Sequence, residues 1–261
     1  MTPILLLGAG RMGGALIAGW RRAGAFPMRE LMVRDPQAGP EALASGARLD
    51  PDQAAIAEAK TVIVAVKPQI LRQAAGEVAP LLGADAVIVS IAAGVASADV
   101  AAAFGGRRVA RVMPTTAAAI GQGTASIYAA DPEARARAHA LFAPVGAVVD
   151  LPDEDLMHAA TAVSGSAPAY LYAFVEALEA AGAALGLPAA AARDLARATT
   201  IGASALLAET GADPAELRRQ VTSPAGTTEA ALKVLLGDTG LFPLLKEAAA
   251  AAERRSRELG K

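Results

Sequence analysis

The stretch Ile4-Leu5-Leu6-Leu7-Gly8-Ala9-Gly10-Arg11-Met12-Gly13 decides the fold of this chain. Four apolar residues read as a buried strand. A Gly-x-Gly-x-x-Gly run follows at once and leads into residues 11–23, whose apolar positions have helical spacing. In that setting each glycine has a mechanical reading. Gly8 permits a tight turn, Gly10 lets a pyrophosphate approach the backbone, and Gly13 lets helix pack on strand. The helix start then turns unpaired N–H groups towards the phosphates. A glycine-rich turn without a ligand is the bland alternative, and the flanking strand and helix weigh against it.

The pattern repeats outward from there. Residues 31–33, 61–66, 86–91, 109–112 and 147–149 are short runs rich in Val, Ile and Leu, with helical segments such as 51–59 and 70–82 between them. Strands apolar on both faces and alternating with helices predict a mainly parallel sheet covered by helices, an α/β fold of Rossmann type. The second strand ends in Val33-Arg34-Asp35-Pro36. An acid at this place favours the NAD ribose, whereas an arginine can hold the 2′-phosphate of NADP. Arg34 comes first and a planar guanidinium suits phosphate, so NADP(H) is the preferred cofactor and NAD(H) the second. Ala65-Val66-Lys67-Pro68 and Ser90-Ile91-Ala92-Ala93-Gly94 lie just past two further strands, where ligands of open parallel sheets bind. Lys67 has a plain reading too, as a solvated turn lysine.

After about residue 151 the strand signals stop. Segments 153–163, 167–186, 188–211, 214–221, 227–236 and 241–259 all read as helices. The expected division is a dinucleotide-binding domain over 1–151 and an all-helical domain over 152–261. Residues 166–186 carry only Glu176 and Glu179 as charges. A helix so apolar must be covered on most faces, and a second copy of the chain is the expected cover.

Composition narrows the field. The chain has 261 residues, 54% hydrophobic and 19% charged, with a formal net charge of −2. Such a balance recruits neither nucleic acid nor an anionic membrane. The most apolar run, 167–192, is broken by Glu176, Glu179 and Pro188, which argues against a membrane span. With no cysteine, thiolate nucleophiles and Cys-based metal sites are excluded, and a reducing cytoplasm fits. Residues 1–8 read as a strand rather than a secretion signal. His139 and His158, the only histidines, have no metal-ligand spacing, so no metal is expected. Asp153, Glu154 and Asp155 read as a charged helix start.

One stretch of the helical half stands apart: Val221-Thr222-Ser223-Pro224-Ala225-Gly226-Thr227-Thr228. It joins a proline and a glycine to four hydroxyl side chains at the start of a helix. Ordinary capping accounts for such residues; a seat for a small anion accounts for them as well.

Together with Gly8-Ala9-Gly10-Arg11-Met12-Gly13, Ala65-Val66-Lys67-Pro68-Gln69, Arg111-Val112-Met113-Pro114 and residues 161–170, this stretch resembles pyrroline-5-carboxylate reductase over nearly the whole chain. Residues 161–170 and 221–228 are the specific ones. The resemblance implies a Rossmann domain followed by an all-helical dimerisation domain, with an active site formed across a homodimer, and often rings of dimers. It implies reduction of 1-pyrroline-5-carboxylate to L-proline. Gly8, Ala9, Gly10, Arg11, Met12, Arg34, Asp52, Ala65, Val66, Lys67, Pro68, Ile91, Ala92 and Ala93 would then touch the dinucleotide. Ser164, Gly226, Thr227 and Thr228 would hold the substrate, with the Thr227 hydroxyl aimed at the ring nitrogen.

The chain also departs from the family. Thr115 and Ala117 stand where the family writes Asn and Pro, Ala167 and Ala225 replace glycines, and Asp52 stands where asparagine is common. Ala fills a former Gly site when φ stays negative, so slight remodelling of these loops is expected. Three rival functions follow. A related enzyme could reduce another cyclic imine, and a non-catalytic regulator could bind NADP on the same fold. A β-hydroxyacid dehydrogenase would need a lysine early in its helical domain, and residues 151–232 contain none.

Overall fold

A computed structural model describes residues 1–259. In the first half, strands and helices alternate: β1 (Ile4–Leu7), α1 (Arg11–Ala23), β2 (Leu31–Arg34), α2 (Pro40–Leu43), β3 (Arg48–Leu49), α3 (Gln53–Ala57), β4 (Thr61–Val64), α4 (Leu71–Val78), β5 (Val87–Ser90), α5 (Ser97–Ala103), β6 (Val109–Pro114), β7 (Gly123–Tyr128), α6 (Pro132–Phe142) and β8 (Gly146–Asp150). The eight strands form one sheet in the order β3-β2-β1-β4-β5-β6-β7-β8. Every pair is parallel except β6 with β7.

Alternation along β1 explains why both sheet faces are covered. Ile4 and Leu6 join one core with Leu16, Ile17 and Trp20 of α1 and Leu141 and Phe142 of α6. Leu5 and Leu7 join the other with Ile56, Leu71, Val78 and Phe104. The buried Trp20 indole donates to the Leu141 carbonyl at 2.7 Å, which satisfies its one polar atom.

The helical half contains α7 (Leu156–Ala160), a π-helical turn (Thr161–Gly165), α8 (Ala167–Ala184), α9 (Ala189–Thr210), α10 (Pro214–Gln220), α11 (Thr227–Leu235) and α12 (Leu241–Leu259). Two compact units result. One holds residues 1–165 together with the chain from Ala251 on, and the other holds 166–250. The sheet itself ends at Asp150, while α7 and the π turn belong to the first compact unit. Inside that unit His158 Nδ1 lies 2.9 Å from Ser256 Oγ, and Arg257 forks onto both oxygens of Asp155.

The second unit has almost no interior of its own. Both hydrophobic cores lie in the first unit, and only Ala192 and Ala196 of α9 are buried in the second. α8 and α9 pack against each other, yet Tyr172 is 66%, Ile201 69% and Leu206 52% exposed. None of the described helices is long and apolar enough to cross a membrane.

Candidate functional site: a dinucleotide cleft and an anion seat

The strand order reverses at β1, which has β2 on one side and β4 on the other. A crevice therefore opens at the carboxyl ends of these strands. Gly8 sits there with φ +95°. A Cβ on it would lie 2.9 Å from the carbonyl carbon and oxygen of Ala65, so turn and packing both require glycine. At Gly10 a Cβ would meet nothing within 4 Å. This open space lies at the start of α1, which has no side-chain cap and no acid in its first turn. Unpaired N–H groups beside empty space fit a pyrophosphate.

The other expected contacts gather around this crevice. Ala9 is buried, Arg11 is exposed, and Met12 packs against the core beneath. Ala65 and Val66 are half-buried past β4, and Pro68 opens a short 3-10 turn. Lys67 is exposed and enters no ion pair among the described residues. The Ile91 N–H bonds the Val64 carbonyl at 3.0 Å, which holds Ile91, Ala92 and Ala93 beside the end of β4.

The acids at the far end of the cleft each have partners within the chain. Asp35 accepts from the Ala9 N–H at 2.5 Å with one oxygen and from the Gln37 N–H at 2.7 Å with the other. It braces the glycine loop, whereas the sequence offered it as a ribose acceptor. Asp52 caps α3 through the Ala55 N–H and pairs with Arg48 at 2.8 Å. The acid that meets Arg34 is Glu77 of α4, with Nη2 to Oε2 at 2.7 Å. Nothing in the sequence marked Glu77: Leu71, Ala75 and Val78 bury one face of α4, and Glu77 looks like a solvated residue of the other.

At the middle of β6 the chain holds a second feature that the sequence hid. The start of α7 was expected to be a plain acidic helix cap, but Glu154 turns inward. It accepts from the Ser97 N–H, the Ser97 hydroxyl and the buried Arg111 guanidinium, each at 2.6 Å. Burial pushes its carboxyl up, but the Ser97 hydrogen bonds and Arg111 outweigh that and hold it below the ordinary carboxylate range. Beyond α7 the helix widens into the π turn that carries Ser164, a local geometry frequent at functional sites. Ser164 Oγ donates to the Ala160 carbonyl at 2.8 Å, which leaves its lone pairs free. Gly165 lies against Met113, whose Cγ and Sδ would be 3.3 Å from a Cβ there.

In the second unit, Ser223-Pro224-Ala225-Gly226 forms a tight turn closed by the Gly226 N–H on the Ser223 carbonyl at 3.1 Å. Two sequence expectations change here. Ala225 has φ +57°, in the left-handed region that favours glycine, and no relaxation to negative φ occurs. Ala167, by contrast, opens α8. Gly226, expected to hold the substrate, has its N–H taken by the turn. Gly226 shapes the seat instead, because a Cβ on it would collide with the Ser223 side chain and carbonyl. Gly226 is the N-cap of α11 with no side-chain cap, so the N–H groups of the first turn, Thr227 and Thr228 included, lack helical partners. Thr227 is exposed and Thr228 half-buried. Glu229 reaches back to the Ala225 N–H at 2.5 Å and steadies the turn.

The chain's likeness to known proteins agrees with this geometry. Residues 154–259 match the family model for pyrroline-5-carboxylate reductase dimerisation, and residues 3–94 match that for coenzyme F420-dependent NADP oxidoreductases. Pyrroline-5-carboxylate reductase of Pseudomonas aeruginosa is 39% identical over 99% of this chain and 97% of its own. A solved structure of a pyrroline-5-carboxylate reductase from Coxiella burnetii superposes with a TM-score of 0.90 at 30% identity, covering 100% of this chain and 99% of that one. An NADP-bound pyrroline carboxylate reductase from Plasmodium falciparum shares the fold, with a TM-score of 0.86 at 23% identity over 100% of this chain and 98% of its own. The architecture, the glycine loop and the sequence identity converge: the chain belongs to the pyrroline-5-carboxylate reductase family.

Proposed function

We propose that this protein reduces 1-pyrroline-5-carboxylate to L-proline, the last step of proline biosynthesis, with NADP(H) as preferred cofactor and NAD(H) as second. When bound, the dinucleotide supplies the hydride. The chain's own contribution is binding, orientation and charge. Gly8, Ala9, Gly10, Arg11 and Met12 cradle the pyrophosphate at the start of α1, and Arg34 holds the 2′-phosphate. Ala65 to Pro68 and Ile91 to Ala93 line the nicotinamide side, where small residues leave room. Asp52 acts from the cap of α3, beside Pro51, which lines the adenosine end.

The observation that carries the reading is the bare helix start at Thr227-Thr228, set by the forced turn at Gly226. Its N–H groups suit the substrate carboxylate. The Thr227 hydroxyl then accepts or donates at the ring nitrogen, with Ser164 a further polar contact. A protonated imine is already electrophilic at carbon, so the site needs no strong general acid, and orientation does most of the chemistry.

The same proposal assigns 1–151 to the dinucleotide and 152–261 to dimerisation and substrate. Exposed apolar residues on α8 and α9 support a homodimer through the helical domain; rings of such dimers and a cytoplasmic location complete the proposal. Neither nucleic acid nor membrane has a part in it. Turnover tests the reading: the purified protein should oxidise NADPH only when 1-pyrroline-5-carboxylate is added, and NADPH that stays constant would contradict it.

A further inference from the structure

We infer that Glu77, from α4, sets the choice between NADPH and NADH by competing with the 2′-phosphate for Arg34. The inference rests on the reading of Arg34 above and deepens it. Two cavities meet at this pair. One, of about 420 Å³, is lined by Arg34, Pro36, Asp50, Pro51 and Glu77. The other, of about 160 Å³, is lined by Leu7, Val66, Ile70 and Gln73 besides Arg34 and Glu77. Arg34, Pro36 and Glu77 belong to both, so the ion pair stands between the two cavities.

Charge decides what the pair does. Arg34 and Glu77 are 39% and 46% exposed as side chains and 2.7 Å apart. An exposed ion pair is weak and its partners exchange readily. A 2′-phosphate brings up to two negative charges and takes a bidentate grip on guanidinium. It must displace Glu77 from Arg34 and then lie near a carboxylate of like sign. A cofactor with a free 2′-hydroxyl imposes neither condition. Glu77 can stay on Arg34 and accept from that hydroxyl. Asp35 is held by the Ala9 and Gln37 N–H groups, so the acid on Arg34 that can discriminate is Glu77. Asp50 lines the larger cavity and adds to the negative side.

The test compares binding of 2′,5′-ADP with binding of 5′-AMP by calorimetry, in the parent protein and in Glu77→Gln and Arg34→Ala. Both positions are on the surface, so folding is not at risk, and equal melting temperatures confirm it. Glu77→Gln should tighten 2′,5′-ADP about tenfold relative to 5′-AMP, a difference of about 1.4 kcal/mol, and should shift kcat/KM towards NADPH. Arg34→Ala should weaken 2′,5′-ADP selectively. An unchanged ratio in Glu77→Gln, or equal tightening of both nucleotides, overturns the role of Glu77 while the reading of Arg34 survives. Equal losses in Arg34→Ala would remove the reading of Arg34 and the inference with it.

Discussion

At single residues, the proposed site sets the substrate's ring nitrogen against the Thr227 hydroxyl. Thr227→Val keeps the shape and removes only that group. A hydrogen bond to a charged partner is worth roughly 1.5–3 kcal/mol, so kcat/KM for 1-pyrroline-5-carboxylate should fall about ten- to a hundredfold. The backbone N–H groups remain, so L-proline should still bind, measured by calorimetry. Thr228→Val is the companion variant, since Thr228 is the half-buried hydroxyl one position on. Full activity in Thr227→Val with loss in Thr228→Val would move the role to Thr228. The neighbouring Ala225 shows how far a residue can be strained when its surroundings demand it. A left-handed alanine costs about 1–2 kcal/mol, yet the turn that seats Gly226 holds it there.

At the scale of elements, the Glu154 cluster ties the start of α5 and the middle of β6 to the entry of α7. Glu154→Gln leaves the buried Arg111 without its counter-charge and should cost roughly 1.5–3 kcal/mol of stability at neutral pH. Because the folded carboxyl is held below its ordinary value, this contribution is complete above the unfolded pKa of about 4.3. It is lost as pH falls through the folded value. The gap in melting temperature between parent and variant should therefore close as solutions are acidified below about pH 4. A gap constant across that range would contradict the assignment.

Most elements around the cluster were legible in the sequence, because β1, β2, β4, β5, β6 and β8 are apolar runs and α1 has strict helical spacing. β7 was not. It alternates Thr124, Ser126 and Tyr128 with Ala125 and Ile127, the signature of a strand with unlike faces rather than of the apolar runs around it. The π turn was hidden for a different reason: residues 161–165 continue the helix begun by α7, and nothing in their order marks the change of hydrogen-bond spacing. Within the candidate site the glycine loop was readable because its geometry is local. Glu77 and Glu154 were not, since each finds its partner more than 40 residues away along the chain.

At the scale of the whole molecule, the helical unit leaves large apolar side chains in water, and a second copy is the proposed cover. Leu206→Arg, at a position 52% exposed in the single chain, should abolish or weaken assembly by placing a charge in the seam. Sedimentation velocity at micromolar concentration reads the outcome, and Leu178→Arg provides an independent position on α8. A parent protein that sediments as a stable, active monomer would refute the dimer. The catalytic claim is tested most directly by following NADPH consumption and proline formation together, with 1-pyrroline-5-carboxylate and with 1-pyrroline, which lacks the carboxylate. The account predicts one L-proline per NADPH with the first substrate, and a rate at least about tenfold lower with the second, since only the first can use the seat at Thr227-Thr228. Equal rates with both imines, or NADPH binding without proline formation, would contradict it.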